Sequence, residues 1–204
     1  MATPASLGGA PMSLFSHALK LLMARPHSRA ELADKLSRVC RRRRTSKLAG
    51  VAAEYEGVEC GEAVDAVLRT VTELGVLDDT AYAKWHVQNR VEYRPRSRLQ
   101  LMAELAAKKV SADDVKAALA TGGGGGGGSG GWSPTTGEGG DAIDSGDDKP
   151  FDEVAACVAV AARRPRADDA QLLPYLARKG FPLPVIRAAL RRRREEAGEP
   201  EPLR

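Results

Sequence analysis

The segment Arg25-Pro26-His27-Ser28-Arg29 returns later in the chain as Arg94-Pro95-Arg96-Ser97-Arg98, so the pattern R-P-x-S-R occurs twice. Each copy is followed at the same offset by a leucine, Leu36 or Leu105, and a degenerate third copy begins Arg164-Pro165-Arg166. The second half of the unit repeats too. Leu105 to Leu119 spans the same distance as Leu176 to Leu190, with Lys108 matching Lys179, Val110 matching Phe181 and Val115 matching Ile186. The first unit keeps this end as Val64 and Leu68, after an insertion at 41–61. A repeat of this size is one supersecondary unit whose apolar face is too small to be buried alone; neighbours must stack to cover it.

The spacing inside the repeat is helical. Leu14, Ala18, Leu21 and Leu22 form one stripe, Leu32, Leu36 and Val39 a second, and Val64, Val67, Leu68, Val71 and Leu74 a third. Period-2 alternation is absent. Ser28 with Glu31 and Ser97 with Gln100 have capping-box spacing, and Ser111 with Asp114 is a weaker version. Pro26, Pro95 and Pro165 fall between helices, whereas Pro174 lies inside one and should kink it or delay its start. The expectation is an all-α fold: an elongated tandem array of three three-helix modules, with nine helices. Module boundaries are expected at 14–77, 78–120 and 151–196.

Composition marks what lies between. Gly122–Gly128 is seven consecutive glycines, leading into an acidic Gly/Asp/Ser stretch. No GK[ST] closes the run and no strand-like segment precedes it, so 121–150 reads as a flexible linker and not a phosphate loop. Residues 1–13 and 197–204 read as disordered ends, and 41–61, with its run Arg41–Arg44, as a solvated insertion or a phosphate-contacting arm. The net charge is +4. Glu138, Asp141, Asp144, Asp147, Asp148 and Asp152 against Lys149 alone give 121–152 a net −5, so the remainder carries +9. A basic body suits a polyanionic or acidic partner, and the acidic stretch is either a passive spacer or an intramolecular shield of the basic faces.

Catalytic chemistry is not assembled by these residues. His17, His27 and His86 lie in separate elements without metal-ligand spacing and read as surface or cap residues. Cys40, Cys60 and Cys157 are an odd number without a CxxC pair, which argues against a disulfide framework and fits a reducing compartment. No apolar run approaches the ~18 residues of a membrane span. Asp78-Asp79, after Leu74-Gly75-Val76-Leu77, reads as a helix start, with Gly75 ending the helix before it. Tyr82 and Trp85 on the next helix read as core anchors. No catalytic residue, cofactor or metal is expected. The partner-binding candidates, chosen by charge, are Arg90, Arg94, Arg96, Arg98, Lys108, Lys109, Arg178, Lys179 and Arg187.

The stretch Glu73-Leu74-Gly75-Val76-Leu77-Asp78-Asp79-Thr80-Ala81-Tyr82-Ala83, running on to Val87 and Arg90, resembles the L-G-[LIV]-[LI]-[DN]-D-x-x-[YF]-A box of the RecX family. Ala18–Leu22 with Arg25–Leu32 is similar to that family's N-terminal module, and Tyr175–Phe181 with Ile186 to its C-terminal end. The resemblance covers 14–119 and 151–193. It departs from the family at Lys108-Lys109, where Lys-Gly is usual, near Ser97, where Gly is usual, and in the two large insertions. The resemblance implies a non-enzymatic, monomeric regulator. Such proteins lie in the groove of a RecA–DNA filament and suppress its ATP hydrolysis and strand exchange. Single- or double-stranded DNA is the further partner, and no membrane is involved. The compartment is the cytoplasm if the source is bacterial, or a plastid or mitochondrion if eukaryotic. Stand-alone nucleic-acid binding by the basic faces is the competing reading.

Overall fold

Helices form wherever the apolar stripes occur, and one more forms where none was expected. The computed structural model describes residues 10–121 and 150–197. Among them are ten helices and no strand: α1 (Met12–Ala24), α2 (Arg29–Arg44), α3 (Ala49–Glu54), α4 (Cys60–Glu73), α5 (Asp79–Tyr93), α6 (Arg98–Ala107), α7 (Ala112–Thr121), α8 (Glu153–Ala161), α9 (Asp169–Arg178) and α10 (Leu183–Ala197). No helix among the described residues is long and apolar enough to cross a membrane. The glycine-rich linker, the first nine residues and the tail from 198 lie outside the described residues.

Local chemistry sets the helix ends. Ser28 accepts the Glu31 N–H at the start of α2, and Ser97 Oγ accepts the Gln100 N–H at 3.3 Å at the start of α6. At the third copy Asp168 caps α9 by accepting the Gln171 N–H at 2.8 Å. Asp168 precedes Leu172 and Leu176 as Ser28 precedes Leu32 and Leu36. The cap therefore recurs, displaced by one residue from its Arg-Pro pair, and that slip hides the copy in the sequence. Asp78 Oδ1 takes the Thr80 and Ala81 N–H groups at 2.7 and 3.2 Å, as the capping reading requires. Gly75 has φ +68°, its N–H meets Thr72 O and the Val76 N–H meets Val71 O, which is a Schellman stop. Pro174 does not delay α9, which begins five residues before it.

The described residues fall into two compact units. One holds residues 10–82 together with 108–111. In it α1, α2 and α4 pack on each other around Leu14, Leu22, Leu32, Leu36, Val67 and Val71, all essentially inaccessible to solvent. The other holds 83–107, 112–121 and 150–197, with α8, α9 and α10 mutually packed and α6 against α7. Its buried residues include Leu101, Leu105, Leu119, Leu172, Leu176, Ile186 and Leu190. Every matched apolar position of the repeat is therefore a core position, which is why the repeat survives there. At roughly 1.5–3 kcal/mol for each fully buried aliphatic side chain, those positions dominate the stability of both units.

Three sequence expectations need correction. Segment 41–61 is not a solvated insertion: α2 continues to Arg44, α3 forms within the segment, and Tyr55 is fully buried with its hydroxyl 2.9 Å from Ser13 Oγ. The amphipathic signal is missed because α3 is only six residues long. Residues 10–13 are not disordered, since Ala10 is buried, α1 starts at Met12, and the Ser13 N–H donates to Glu54. Cys40 and Cys60 are joined in a disulfide that ties α2 to the start of α4, leaving Cys157 as the buried free thiol. The absence of a CxxC pair says nothing about partners 20 residues apart.

Candidate partner-binding surface

The R-P-x-S-R segments do not lie on the surface as charged patches; each forms a joint. In the first, Ser28 is fully buried and its hydroxyl donates to Lys108 O at 3.0 Å. The next residue, Arg29, donates its backbone N–H to Asp79 Oδ1 at 2.7 Å, at the first residue of α5. In the second, Ser97 is fully buried and faces Gly180, where an added Cβ would come within 3.0 Å of its Oγ. Arg98 donates its N–H to Glu153 Oε1 at 2.9 Å, at the first residue of α8. The same three parts thus recur: a buried serine, the turn that ends a helix, and a carboxylate at a helix start taking the N–H after the serine. Asp79 thereby has a function that capping alone does not predict, while Asp78 does the capping.

Each unit also gathers charge on one half-buried glutamate. In the first, Glu31 pairs with Arg25 and lies 3.4 Å from Lys35 Nζ and 3.7 Å from Lys108 Nζ. Burial raises its carboxyl, but the Arg25 hydrogen bond and the charges of Arg25, Lys108 and Lys35 outweigh burial and hold it at about 2. His27 beside it is buried, not a surface residue. Its Nδ1 lies 2.8 Å from Arg25 O, which can only accept, so Nδ1 carries the hydrogen, and Nε2 accepts from Lys35 Nζ at 2.7 Å. That arrangement needs a neutral ring, in agreement with a pKa lowered by burial and by Arg25 and Lys35.

In the second unit Glu104 plays the same part. His86 Nε2, Arg90 Nε and Arg96 Nε lie 2.9, 2.7 and 3.5 Å from its carboxylate. Burial raises the Glu104 carboxyl, and hydrogen bonds from Arg90 and His86 more than reverse this. His86 is buried in this cluster, again contrary to the surface expectation. Tyr82 is buried as expected of a core anchor, and Trp85 is half-buried.

The nine basic candidates accordingly divide. Arg90 and Arg96 are engaged by Glu104, and Lys108 by Glu31. Lys179 lies 5.6 Å from the Tyr175 ring, which Arg164 also covers at 4.1 Å. Arg94, Arg98, Lys109, Arg178 and Arg187 are exposed. Of these, Arg178 turns its Nε to Pro174 O in its own helix, at 3.3 Å. Sequence reasoning selected by charge and so mixed structural arginines with exposed ones. Of the acids that separate the two kinds, Glu104 carries no signal beyond helical spacing, and Glu31 none beyond its capping-box spacing from Ser28. Among the described residues no cluster of three His, Cys, Asp or Glu could hold a metal ion.

Residues 78–119, which are α5 to α7 with their connections, match the family model "RecX, second three-helix domain". A protein of Thermobifida fusca (strain YX) named "Regulatory protein RecX" is 32% identical over 120 residues, 57% of this chain and 55% of that protein. One of the same name from Treponema pallidum (strain Nichols) is 41% identical over 56 residues, 28% of this chain and 34% of that protein. The chain thus spans about half the length of the first relative and a third of the second.

Proposed function

Because the chain belongs to the RecX family, we propose that it binds a RecA-type recombinase filament and restrains its ATPase and strand exchange, with no catalysis of its own. The match of residues 78–119 to the second three-helix domain carries this reading. The surface supports it. Within the second unit Arg94, Arg98, Arg178 and Arg187 are exposed guanidiniums, suited to carboxylates or phosphates of a large partner. In this reading α1, α2 and α4 form the first three-helix module, α5 to α7 the second and α8 to α10 the third. Several weak contacts to the partner, each modest alone, sum to avidity.

The test is the ATPase of a RecA-type recombinase on single-stranded DNA, with the chain titrated at substoichiometric ratio. Inhibition well below one chain per recombinase protomer is expected. No inhibition, together with tight salt-dependent binding to bare DNA, would replace this reading with that of a stand-alone nucleic-acid-binding protein.

A further inference from the structure

The segment that interrupts the first repeat builds a cleft of about 430 Å³, a volume typical of ligand sites. Its lining includes His17 from α1, Arg38, Arg42 and Arg43 from α2, Leu48 from the turn before α3 and Val51 from α3. No carboxylate lines it. Among the described residues, none of the three arginines makes an ion pair. Arg38 donates to Asp34 O in its own helix and Arg43 stands 6.0 Å from the Tyr55 ring centroid. Arg41–Arg44 fill the last turn of α2, whose carbonyl end favours positive charge there. The pKa of His17 is lowered by burial and then by the charges of Arg43 and Lys20, as a positive cleft requires.

Apolar groups complete the lining. Leu48 is 69% exposed, high for a leucine beside a concave surface, and Val51 is half-buried. The wall is fixed in place. Tyr55 is fully buried just after α3, and the Cys40–Cys60 disulfide closes the base of the segment. A site held in this way loses little ordering entropy on binding.

We propose that this cleft docks a short acidic segment of a partner protein, in which an apolar side chain is flanked by carboxylates. Guanidinium forks pair with carboxylates in bidentate geometry. Arg38 and Arg42 are four residues apart on α2, hence neighbours at about 5–6 Å between Cβ atoms, which suits two carboxylates one helical turn apart on the partner. The exposed leucine beside them accounts for the apolar residue. A nucleic-acid backbone would use the arginines and leave Leu48 idle, and base stacking needs exposed aromatic faces, whereas the Tyr55 ring is buried. The inference goes beyond the recombinase reading and does not depend on it.

The test is fluorescence anisotropy on the oxidised full chain. The probes are a labelled peptide with one leucine flanked by glutamates, the same peptide with serine for leucine, and a single-stranded oligonucleotide of matched charge. The leucine peptide is expected to bind tightest. Arg38→Glu with Arg42→Glu should weaken it about tenfold or more. Leu48→Ser should weaken it about threefold, in line with the loss of roughly half of a buried aliphatic contact. Lys116→Glu, a charge change on α7, should leave it unmoved. Circular dichroism checks the fold of each variant, and the milder Arg42→Lys, which keeps the charge but loses the fork, should fall between wild type and the double variant. No binding of the leucine peptide overturns the proposal. So does binding indifferent to the double reversal, or an oligonucleotide that outcompetes the peptide and ignores Leu48→Ser.

Discussion

At the first joint Ser28 rests on a turn whose left-handed residue is Lys109, φ +57°; at the second Ser97 rests on a turn whose left-handed residue is Gly180, φ +78°. Gly180 has no Cβ, and Ser97 fills the space one would occupy. Lys109 must carry a side chain through a conformation that disfavours one by roughly 1–2 kcal/mol. The first joint compensates with more polar contacts: the Ser28 bond to Lys108 O, and Lys108 Nζ beside Glu31. Its unit also has a disulfide, while the single cysteine of the second is a free thiol pushed up to about 12 by burial and by the nearby Glu153. One sequence motif therefore makes two joints of similar geometry, one held by close packing on glycine and the other by charge.

The largest expected difference is redox sensitivity. Reducing Cys40–Cys60, which closes a loop of 20 residues, should destabilise the first unit by about 3 kcal/mol on the loop-entropy model, and leave the second unchanged. Hydrogen exchange with and without reductant resolves the two. Equal loss of protection in both units would mean that they do not unfold independently.

Acid comes next. The Glu31 carboxyl falls from 4.5 to about 2 on folding, so its stabilisation is complete above pH 4.5 and is lost as pH drops towards 2. That is at most about 3.5 kcal/mol, reckoned at ~1.4 kcal/mol per pKa unit. His27 acts in a higher window: its folded pKa lies below 6.5, so stability declines as pH falls below 6.5 and the unfolded chain alone takes up the proton. Urea midpoints of wild type and Glu31→Gln should converge as pH falls from 4.5 to the acid limit. A constant gap would show that Glu31 acts by shape and not by charge.

The smallest effects sharpen the comparison most. Lys109→Gly should stabilise by about 0.5–1 kcal/mol, strain relief being partly offset by added freedom in the unfolded chain. Gly180→Ala should destabilise by about 2 kcal/mol, from φ strain and the crowding of Ser97. Thermal melts of both, with Ser97→Ala as background, separate the two causes, since removing the hydroxyl should return part of the Gly180→Ala loss.

The helical stripes, the two serine caps and the Asp78 start were legible because each rests on residues adjacent in sequence. The Ser28–Lys108 contact was not, since its partners lie far apart and the lysine takes part through its carbonyl, which every residue has. Glu31 and Glu104 escaped for a related reason: a half-buried acid on a helix reads as solvated until its arginines are placed. The insertion hides its packing because Tyr55 is a single anchor without periodicity. Among the basic candidates, charge alone could not tell Arg90, bound to Glu104, from Arg94, which faces solvent.

That distinction leads to the most direct measurement: recombinase ATPase on single-stranded DNA, titrated with wild type and with Arg94, Arg98, Arg178 and Arg187 all changed to Glu. The account predicts substoichiometric inhibition by wild type and a requirement for about tenfold more of the variant, at unchanged folding. Wild type without effect, or a variant as potent as wild type, would contradict it.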